Sequence, residues 1–189
     1  MLHRAIGLLL VALLGAACSS YTIPRYGLSA ENVTGLKKVG QKVNVGRFTA
    51  TPLGRAEIGC RGRGPVRTAD QRPFEDYIRR ALIDELKIAE MFAESAPVTL
   101  TGHLAKLDFS SMKGEWLMDL TFTSSNGRSL VISIVHDYKT GPGFTFPQLG
   151  GQSSADERAC TETAQAFPGA VQVLIGKLVH HPEFAALVK

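Results

Sequence analysis

The sequence has little of what marks catalysis or a permanent membrane span. Its 189 residues include only three cysteines, and no two of them form the CxxC pair that redox and metal motifs use. The GxSxG, HExxH and P-loop patterns are missing as well. A helix that spans a membrane requires about 20 consecutive apolar residues, and after residue 17 every apolar run is much shorter. The sequence therefore predicts neither a motif-bearing enzyme nor a mature chain that crosses a membrane.

Neither sign of charge is present in large excess. The formal net charge is +4 at pH 7, so we expect no nucleic-acid partner, which usually requires a strongly basic surface. The positive charges are nevertheless concentrated between residues 55 and 80, where lipid headgroups, lipopolysaccharide or peptidoglycan could bind. A solvated loop and helix face is the simpler alternative. The candidate anionic-ligand patch consists of Arg55, Arg61, Arg63, Arg67 and Arg72.

The first seventeen residues have the layout of a secretory signal peptide. One basic residue, Arg4, precedes an uninterrupted apolar run from Ala5 to Leu14, and small residues follow. This run is too short to span a hydrocarbon core of about 30 Å. The sequence therefore predicts an exported precursor that loses residues 1–17.

The end of this segment, residues 14–18 (LGAAC), resembles the lipobox of bacterial lipoproteins, with Gly15 where leucine is usual. The resemblance implies cleavage before Cys18 and acyl chains, such as palmitate, on that cysteine. Each buried methylene adds about 0.8 kcal/mol to such an anchor. Ser19 follows instead of aspartate, which in this family implies the outer membrane, with the domain facing the periplasm. A plain export signal with Cys18 unmodified is the alternative.

Two cysteines remain once Cys18 is assigned to lipid. Export places Cys60 and Cys160 in an oxidising compartment, so we predict a disulfide between them. The bridge would close a loop of about 100 residues, for which chain entropy gives at most about 4.7 kcal/mol. A reactive thiol would need a CxxC pair or a suitable histidine nearby, and neither cysteine has that setting in the sequence.

The rest of the chain divides into a tether and one domain. Residues 18–40 mix serine, glycine, proline and charges without a helical or alternating period, which predicts a tether between the lipid and the domain. Residues 41–189 have the size of a single domain. It is predicted to open with a strand at residues 41–51, a loop from Cys60, and an amphipathic helix from Pro73 to about Glu94.

Three strands are predicted next, at residues 98–109, 115–123 and 129–138. A three-residue loop before the last strand, with Gly127 in the left-handed conformation, pairs Phe122 with Leu130 and keeps one face apolar. A two-residue turn would mix the faces, so we predict the longer loop. In the first of these strands the apolar parity changes, which predicts a bulge near Ala105.

The last predicted element is a helix that begins at Ser154, where Glu157 would complete a capping box, with a kink or break at Pro168. The element order is β, α, β, β, β, α. It predicts an α+β fold with a mainly antiparallel four-stranded sheet and two helices on one face.

No catalytic constellation stands out among the polar residues. His180 and His181 are adjacent at a helix end, where their side chains point apart, so we expect neither a metal nor another cofactor. The other acid–base candidates fall on strands and are interpreted as solvated or structural groups. They are His103, His136, Asp108, Glu115 and Asp119.

A glycine- and proline-rich loop at residues 139–152 carries two aromatic residues, Phe144 and Phe146. Aromatic side chains in such a loop either pack back on the domain or are presented to a partner. If presented, they would form a partner or lipid contact.

The lipobox at residues 14–18, the short tether and the small α+β domain together resemble the accessory lipoproteins of Gram-negative envelopes. These include lipopolysaccharide-assembly lipoproteins and the auxiliary lipoproteins of ABC-type lipid transporters. The resemblance implies a non-enzymatic protein that binds a membrane component, an envelope lipid or an envelope protein. The alternative is an envelope hydrolase acting on glycan or ester bonds, which would require Asp108, Asp119 and His136 to line one pocket.

Overall fold

The computed structural model describes residues 20–140 and 151–189, with side chains described throughout except at residues 151–154. The strands are β1 (Tyr21–Ile23), β2 (Asn44–Ala50), β3 (Glu57–Cys60), β4 (Gly64–Thr68), β5 (Thr99–Ser110), β6 (Glu115–Ser124) and β7 (Ser129–Asp137). The helices are α1 (Ala30–Val39), α2 (Phe74–Ile88), α3 (Gly151–Val179) and α4 (Phe184–Leu187).

The strands form two mixed sheets. The larger sheet has the order β2-β5-β6-β7 and is antiparallel except for the parallel pair β2–β5. The smaller sheet has the order β1-β4-β3, with β1 parallel to β4. The α+β class is therefore confirmed, and the four predicted strands form the larger sheet. The prediction is incomplete in that the sheets are mixed, a second sheet is present and the helices number more than two. The parallel pair β2–β5 needs a crossover connection, and α2 lies within it.

The predicted register of β6 and β7 is confirmed. Phe122 pairs with Leu130, as the three-residue loop requires, and Gly127 has a φ of 87°. The bulge in β5 is confirmed as well, because the pairing with β6 shifts between Leu104 and Lys106. Both features follow from keeping apolar residues on one face.

The segment predicted to be a tether is folded from Tyr21 onward. Tyr21 and Ile23 in β1 are 7% and 0% exposed, and Leu36 in α1 is 0% exposed. The helix begins after Ser29, whose side chain accepts a hydrogen bond from the first turn, and ends at Gly40 in the left-handed conformation. A three-residue strand is too short to show a period in the sequence, which is why the prediction of a tether is wrong there.

Helix α1 joins the start of the chain to the last long helix. Asn32 Nδ2 donates to the carbonyl of Gln172 in α3 over 2.9 Å, and Gln172 Nε2 donates to the carbonyl of Gly27 over 2.8 Å. A Cβ at Gly35 would lie 2.7 Å from Val179 Cγ1, so the two helices approach closely at this glycine. These contacts make residues 21–39 part of the domain.

The loop predicted from Cys60 is a tight hairpin instead. Cys60 at the end of β3 pairs with Gly64 at the start of β4, and the amide of Arg63 donates to the Cys60 carbonyl over 2.9 Å. Arg61 and Gly62 have φ values of 48° and 67°, the positive values that tight hairpin turns require. The glycines that predicted a loop therefore form a turn between two short strands.

Helix α2 ends earlier than predicted, at Ile88. The amides of Met91 and Phe92 both donate to the carbonyl of Leu86, over 2.8 and 3.2 Å, and Glu90 has a φ of 61°. The chain then turns toward β2, where the amide of Val43 donates to the Met91 carbonyl over 2.8 Å. The apolar stripe continues beyond the helix because Met91 and its neighbours pack in the core as extended chain.

Helix α3 begins at Gly151, before the predicted start at Ser154, and runs through Pro168 without a break. Pro168 cannot donate a backbone hydrogen bond to the carbonyl of Ala164. The helix tolerates this loss because its buried residues on both sides, Phe167 and Val171, are 0% exposed. The capping side chain of Ser154 lies outside the described side chains.

The core lies between the inner face of the larger sheet and helices α2 and α3. An aromatic cluster forms its centre: the rings of Trp116 and Phe167 lie 4.8 Å apart, and those of Phe74 and Phe167 lie 5.4 Å apart. Trp116 Nε1 donates to the Thr163 carbonyl over 2.9 Å, so the buried indole is satisfied.

In the described ranges, no helix is both long enough and apolar enough to cross a membrane.

Candidate functional site

One end of the domain brings together the disulfide, two strand turns and the first part of α3. Cys60 at the end of β3 is joined to Cys160 in α3, with an S–S distance of 2.03 Å and a Cα–Cα distance of 5.9 Å. This is the pair that the sequence predicts. Both cysteines are buried, so the bridge connects the smaller sheet to α3 within the core.

Arg61 fixes this arrangement from the surface. Its Nε donates to Ser111 Oγ over 2.9 Å, and Nη2 donates to the Ser111 carbonyl over 2.8 Å. Its Nη1 contacts Asp156 Oδ1 over 2.9 Å, and the Arg61 side chain is only 16% exposed. Arg61 therefore holds the β3–β4 turn against the β5–β6 turn and α3, and its guanidinium is occupied by protein groups.

Arg63 lies beside the same carboxylate but is less constrained. Its Nε lies 3.8 Å from Asp156 Oδ2, and its side chain is 38% exposed. A contact of this length leaves most donors of the guanidinium free for an anion. Of the predicted patch, Arg63 is thus the member at this end that can bind an external ligand.

The other predicted arginines lie elsewhere on the β3–β4 hairpin. Arg55 precedes β3 and Arg72 follows β4, at the open end of the hairpin, whereas Arg67 lies within β4 opposite Glu57. Arg55 Nη1 donates to the carbonyl of Leu107 over 3.3 Å. The structure therefore does not bring the five arginines together as one patch.

Arg72 is engaged by carboxylates at the open end of the hairpin. Its Nε lies 3.7 Å from Asp70, and its Nη1 lies 3.5 Å from Asp76. Arg80 contacts the same two carboxylates over 2.8 and 3.3 Å. The charges in this cluster balance one another, so it presents no excess of positive charge.

The three groups required by the hydrolase alternative do not converge. Asp108 pairs with Leu117 and Asp119 pairs with Ser133, on the outer face of the larger sheet. His136 pairs with Trp116 at the end of the inner face. Because successive strand residues point to opposite faces, the carboxylates and the imidazole lie on different sides of the sheet. Burial lowers the pKa of His136, an effect that Asp137 partly opposes.

The other histidines within residues 20–140 and 151–189 have local hydrogen-bond partners. His103 contacts Thr49 Oγ1 over 2.9 Å and Thr51 Oγ1 over 3.2 Å on β2. His180 Nδ1 lies 2.8 Å from the Gly176 carbonyl, and His181 Nδ1 accepts from a backbone amide. Within residues 20–140 and 151–189, no three His, Cys, Asp or Glu residues are arranged to hold a metal ion.

Glu85 is a buried polar residue that the sequence patterns do not single out. It is 0% exposed. Its Oε1 accepts from the hydroxyl of Tyr26, from Asn32 Nδ2 over 3.2 Å and from the Ser29 amide over 3.2 Å. Burial raises the pKa of the Glu85 carboxyl, although these three donors oppose the shift. Glu85 thus joins α2 to the start of α1.

Two surface depressions accompany these contacts. One, of about 460 Å³, is lined by Arg79 and Phe92 among others, but Arg79 Nε donates to the Gly46 carbonyl over 2.6 Å and serves the fold. The other, of about 410 Å³, is lined by Tyr26, Tyr77 and Arg80 among others. Tyr77 donates to the Pro24 carbonyl over 2.9 Å, so its polar atom is also used internally.

Cys18, Phe144 and Phe146 lie outside the described residues. The described chain begins at Ser20, two residues after Cys18 in the sequence and next to Tyr21 in β1.

No protein-family model matches the chain, and no curated protein matches it. Among solved structures, the chain is similar to the crystal structure of protein XCC0632 from Xanthomonas campestris, which is assigned to the family model DUF330. The two share 11% sequence identity with a TM-score of 0.44, over 85% of this chain and 95% of that chain. A likeness at this level indicates nothing about function.

Proposed function

We propose that this protein is a membrane-anchored lipoprotein of the cell envelope that acts as a non-enzymatic accessory or binding component. Lipid on Cys18 holds it at the outer membrane, and its domain faces the periplasm. Envelope assembly or the transport of lipid or lipopolysaccharide are the processes it would serve. Its partners are the membrane itself and an envelope lipid, lipopolysaccharide or envelope protein.

The observation that carries this proposal is that two of the three cysteines pair with each other and the third follows a signal-like segment. Cys60 and Cys160 are joined to each other, and disulfides of this kind persist in compartments outside the cytoplasm. Cys18 is left without a cysteine partner and follows an apolar run and two alanines. Export and lipidation at Cys18 account for all three residues together.

The arrangement of polar groups supports a binding role over catalysis. In the part of the chain that the structure describes, the acids of the β5–β6 hairpin and His136 lie on opposite faces of the sheet. A general acid and base must reach the same substrate atoms. No specific contact therefore favours the hydrolase alternative.

Mass spectrometry of the protein isolated from its native membrane tests the anchor. We expect the mature chain to begin at Cys18 and to carry the mass of a diacylglyceryl group, with further acylation of the free amine. An unmodified first cysteine, or free thiols at Cys60 and Cys160 in exported material, would contradict the proposal.

A matched variant in which residues 1–18 are replaced by an export signal without a lipobox provides the control. It should keep the same thermal unfolding curve, because the replaced residues all precede β1, and it should move from the membrane fraction to the aqueous fraction. In-cell crosslinking from the exposed Val131 and Val135 on β7, which are 63% and 59% exposed, then identifies the envelope partner.

A further inference from the structure

The folded domain begins almost at the lipid-bearing residue. Ser20 directly precedes β1. Tyr21, the first residue of that strand, is 7% exposed and pairs with Val66 of β4. Two extended residues span at most about 7 Å, so Cys18 lies within that distance of Ser20. The polar layer of one bilayer leaflet is only about 5–7 Å deep. A lipid on Cys18 therefore leaves no room for a spacer between the membrane surface and this end of the domain.

The neighbours of Tyr21 define which part of the domain lies there. The parallel pairing of β1 with β4 places Tyr21 near the start of β4 and hence near the β3–β4 turn. Arg61 in that turn bonds to Ser111 in the β5–β6 turn. We call these two turns, residues 61–63 and 111–114, the anchor end of the domain.

The anchor end carries the kind of side chains that a lipid surface accepts. Met112 at the tip of the β5–β6 turn is 75% exposed. Next to it the Lys113 side chain is 74% exposed, and Arg63 is 38% exposed. An apolar residue flanked by cations can insert at the boundary of headgroups and acyl chains while its neighbours meet phosphates.

The exposed cations of the anchor end are held by ion pairs that leave part of each group open to solvent. Arg63 Nε lies 3.8 Å from Asp156 Oδ2, a carboxylate that it shares with Arg61. Lys113 Nζ lies 3.3 Å from Glu115 Oε1. Each of these cations has further donors that can meet a phosphate.

The far end of the same sheet lacks this combination. Consecutive antiparallel hairpins turn at opposite ends, so the β6–β7 turn lies away from the anchor end. Between β6 and β7 lie Ser125, Asn126, Gly127 and the exposed Arg128, and Asn126 Nδ2 donates to the carbonyl of Ala186 over 3.1 Å. Both turns thus carry an exposed cation, but the exposed methionine lies in the turn beside the lipid-bearing residue, whereas residues 125–128 include no apolar side chain.

From these contacts we infer that the anchor end rests directly on the phospholipid headgroups of the membrane that holds Cys18, with Met112 inserted and Arg63 and Lys113 on phosphates. This inference depends on the lipidation proposed above. It adds an orientation: the outer face of the larger sheet stands roughly upright from the membrane instead of lying on it.

Quenching by brominated lipid tests the orientation in the full lipidated protein. Met112→Cys, labelled with a small fluorophore, is reconstituted in vesicles of phosphatidylethanolamine and phosphatidylglycerol with or without bromine on the acyl chains. The matched control is Ile88→Cys, which replaces an apolar residue that is 52% exposed at the end of α2. We expect brominated lipid to cause a loss of fluorescence at position 112, because a side chain inserted about 5–10 Å into the headgroup boundary meets the acyl chains, and to leave position 88 unchanged.

The outcomes separate this inference from the proposed function. If mass spectrometry shows the acyl groups but position 112 is as open to an aqueous quencher as position 88, the orientation is wrong and the lipoprotein assignment stands. If position 112 is protected from the aqueous quencher yet not reached by brominated lipid, a protein occupies the anchor end and the inference is overturned. If no acyl group is present, the proposed function fails and the inference falls with it.

Discussion

A single side chain, Glu85, shows how residue type can conceal a buried position. By spacing, Glu85 lies three and four positions after Leu82 and Ala81, on the apolar stripe of α2. A carboxylate is usually assigned to the solvent face, so the sequence alone does not indicate that Glu85 is buried. It is buried because Tyr26, Ser29 and Asn32 supply donors from the segment before and within α1, and this contact cannot be recognised unless that segment is known to fold.

Replacing the carboxyl by an amide, in Glu85→Gln, should remove a pH-dependent part of the stability. Burial raises the folded-state pKa of Glu85 above its ordinary value. The protonated carboxyl therefore contributes its full share of the unfolding free energy when the pH is below the ordinary pKa, and this share is lost as the pH rises through the raised pKa. We therefore expect the wild type to lose unfolding free energy as the pH rises and the variant, which has no carboxyl at this position, to lose less. Urea unfolding across the acidic to neutral range measures this difference.

Asp84→Asn serves as the matched control for this series, since Asp84 is the exposed neighbour on the same helix. It removes a carboxyl charge from the same turn of α2 without changing a buried group, so it shows how much of any difference comes from burial. Parallel curves for Glu85→Gln and the wild type at every pH would show that the carboxyl ionises in the folded protein as it does in the unfolded chain.

At the scale of elements, long alternating segments were predictable and short ones were not. Strands β5, β6 and β7 have enough residues for the apolar pattern to fix their register, including the bulge between Leu104 and Lys106. Strands β1, β3 and β4 have five residues or fewer, so their alternation is too brief to distinguish from chance. Helix α1 has start and stop signals in Ser29 and Gly40. They do not predict a helix by themselves, because the apolar residues between them are too few to show a helical period.

The folded state of residues 21–39 has a direct consequence for stability. Leu36→Ala removes a fully buried side chain from α1 and should cost about 2–5 kcal/mol of unfolding free energy, as other buried leucines do. The exposed Lys37→Ala in the same helix should change it by less than about 0.5 kcal/mol. Equal stability of both variants in urea unfolding would mean that this segment is a tether after all.

For the molecule as a whole, the disulfide joins residues 100 positions apart in sequence. The Cys60→Ala, Cys160→Ala double variant should lose up to about 4.7 kcal/mol, the loop-closure value for a loop of this length. Thermal unfolding of the exported domain measures the loss. The same wild-type protein under reducing conditions should approach the variant, and a Tm that reduction leaves unchanged would show that the bridge does not form in the exported protein.

The candidate site was less predictable than the fold because it depends on the whole assembly. A run of arginines between residues 55 and 80 suggested one patch, but the β3–β4 hairpin places Arg61 and Arg63 at its turn and Arg55 and Arg72 at its open end. Met112 gave no signal in the sequence, since its exposure depends on the turn between β5 and β6. Nearness in sequence is therefore a poor guide to a shared surface here, where hairpins reverse the chain every few residues.

The hydrogen bonds between Asn32, Gly27 and Gln172 have a consequence for how the chain is completed. A polypeptide emerges N-terminus first, so β1 and α1 are available long before α3, the element on which they pack. Until α3 arrives, Ile23 and Leu36 are covered only in part, by the earlier elements β4 and α2. The earliest residues of the domain are thus among the last to be secured, and during that interval they are the natural target for a chaperone or a protease.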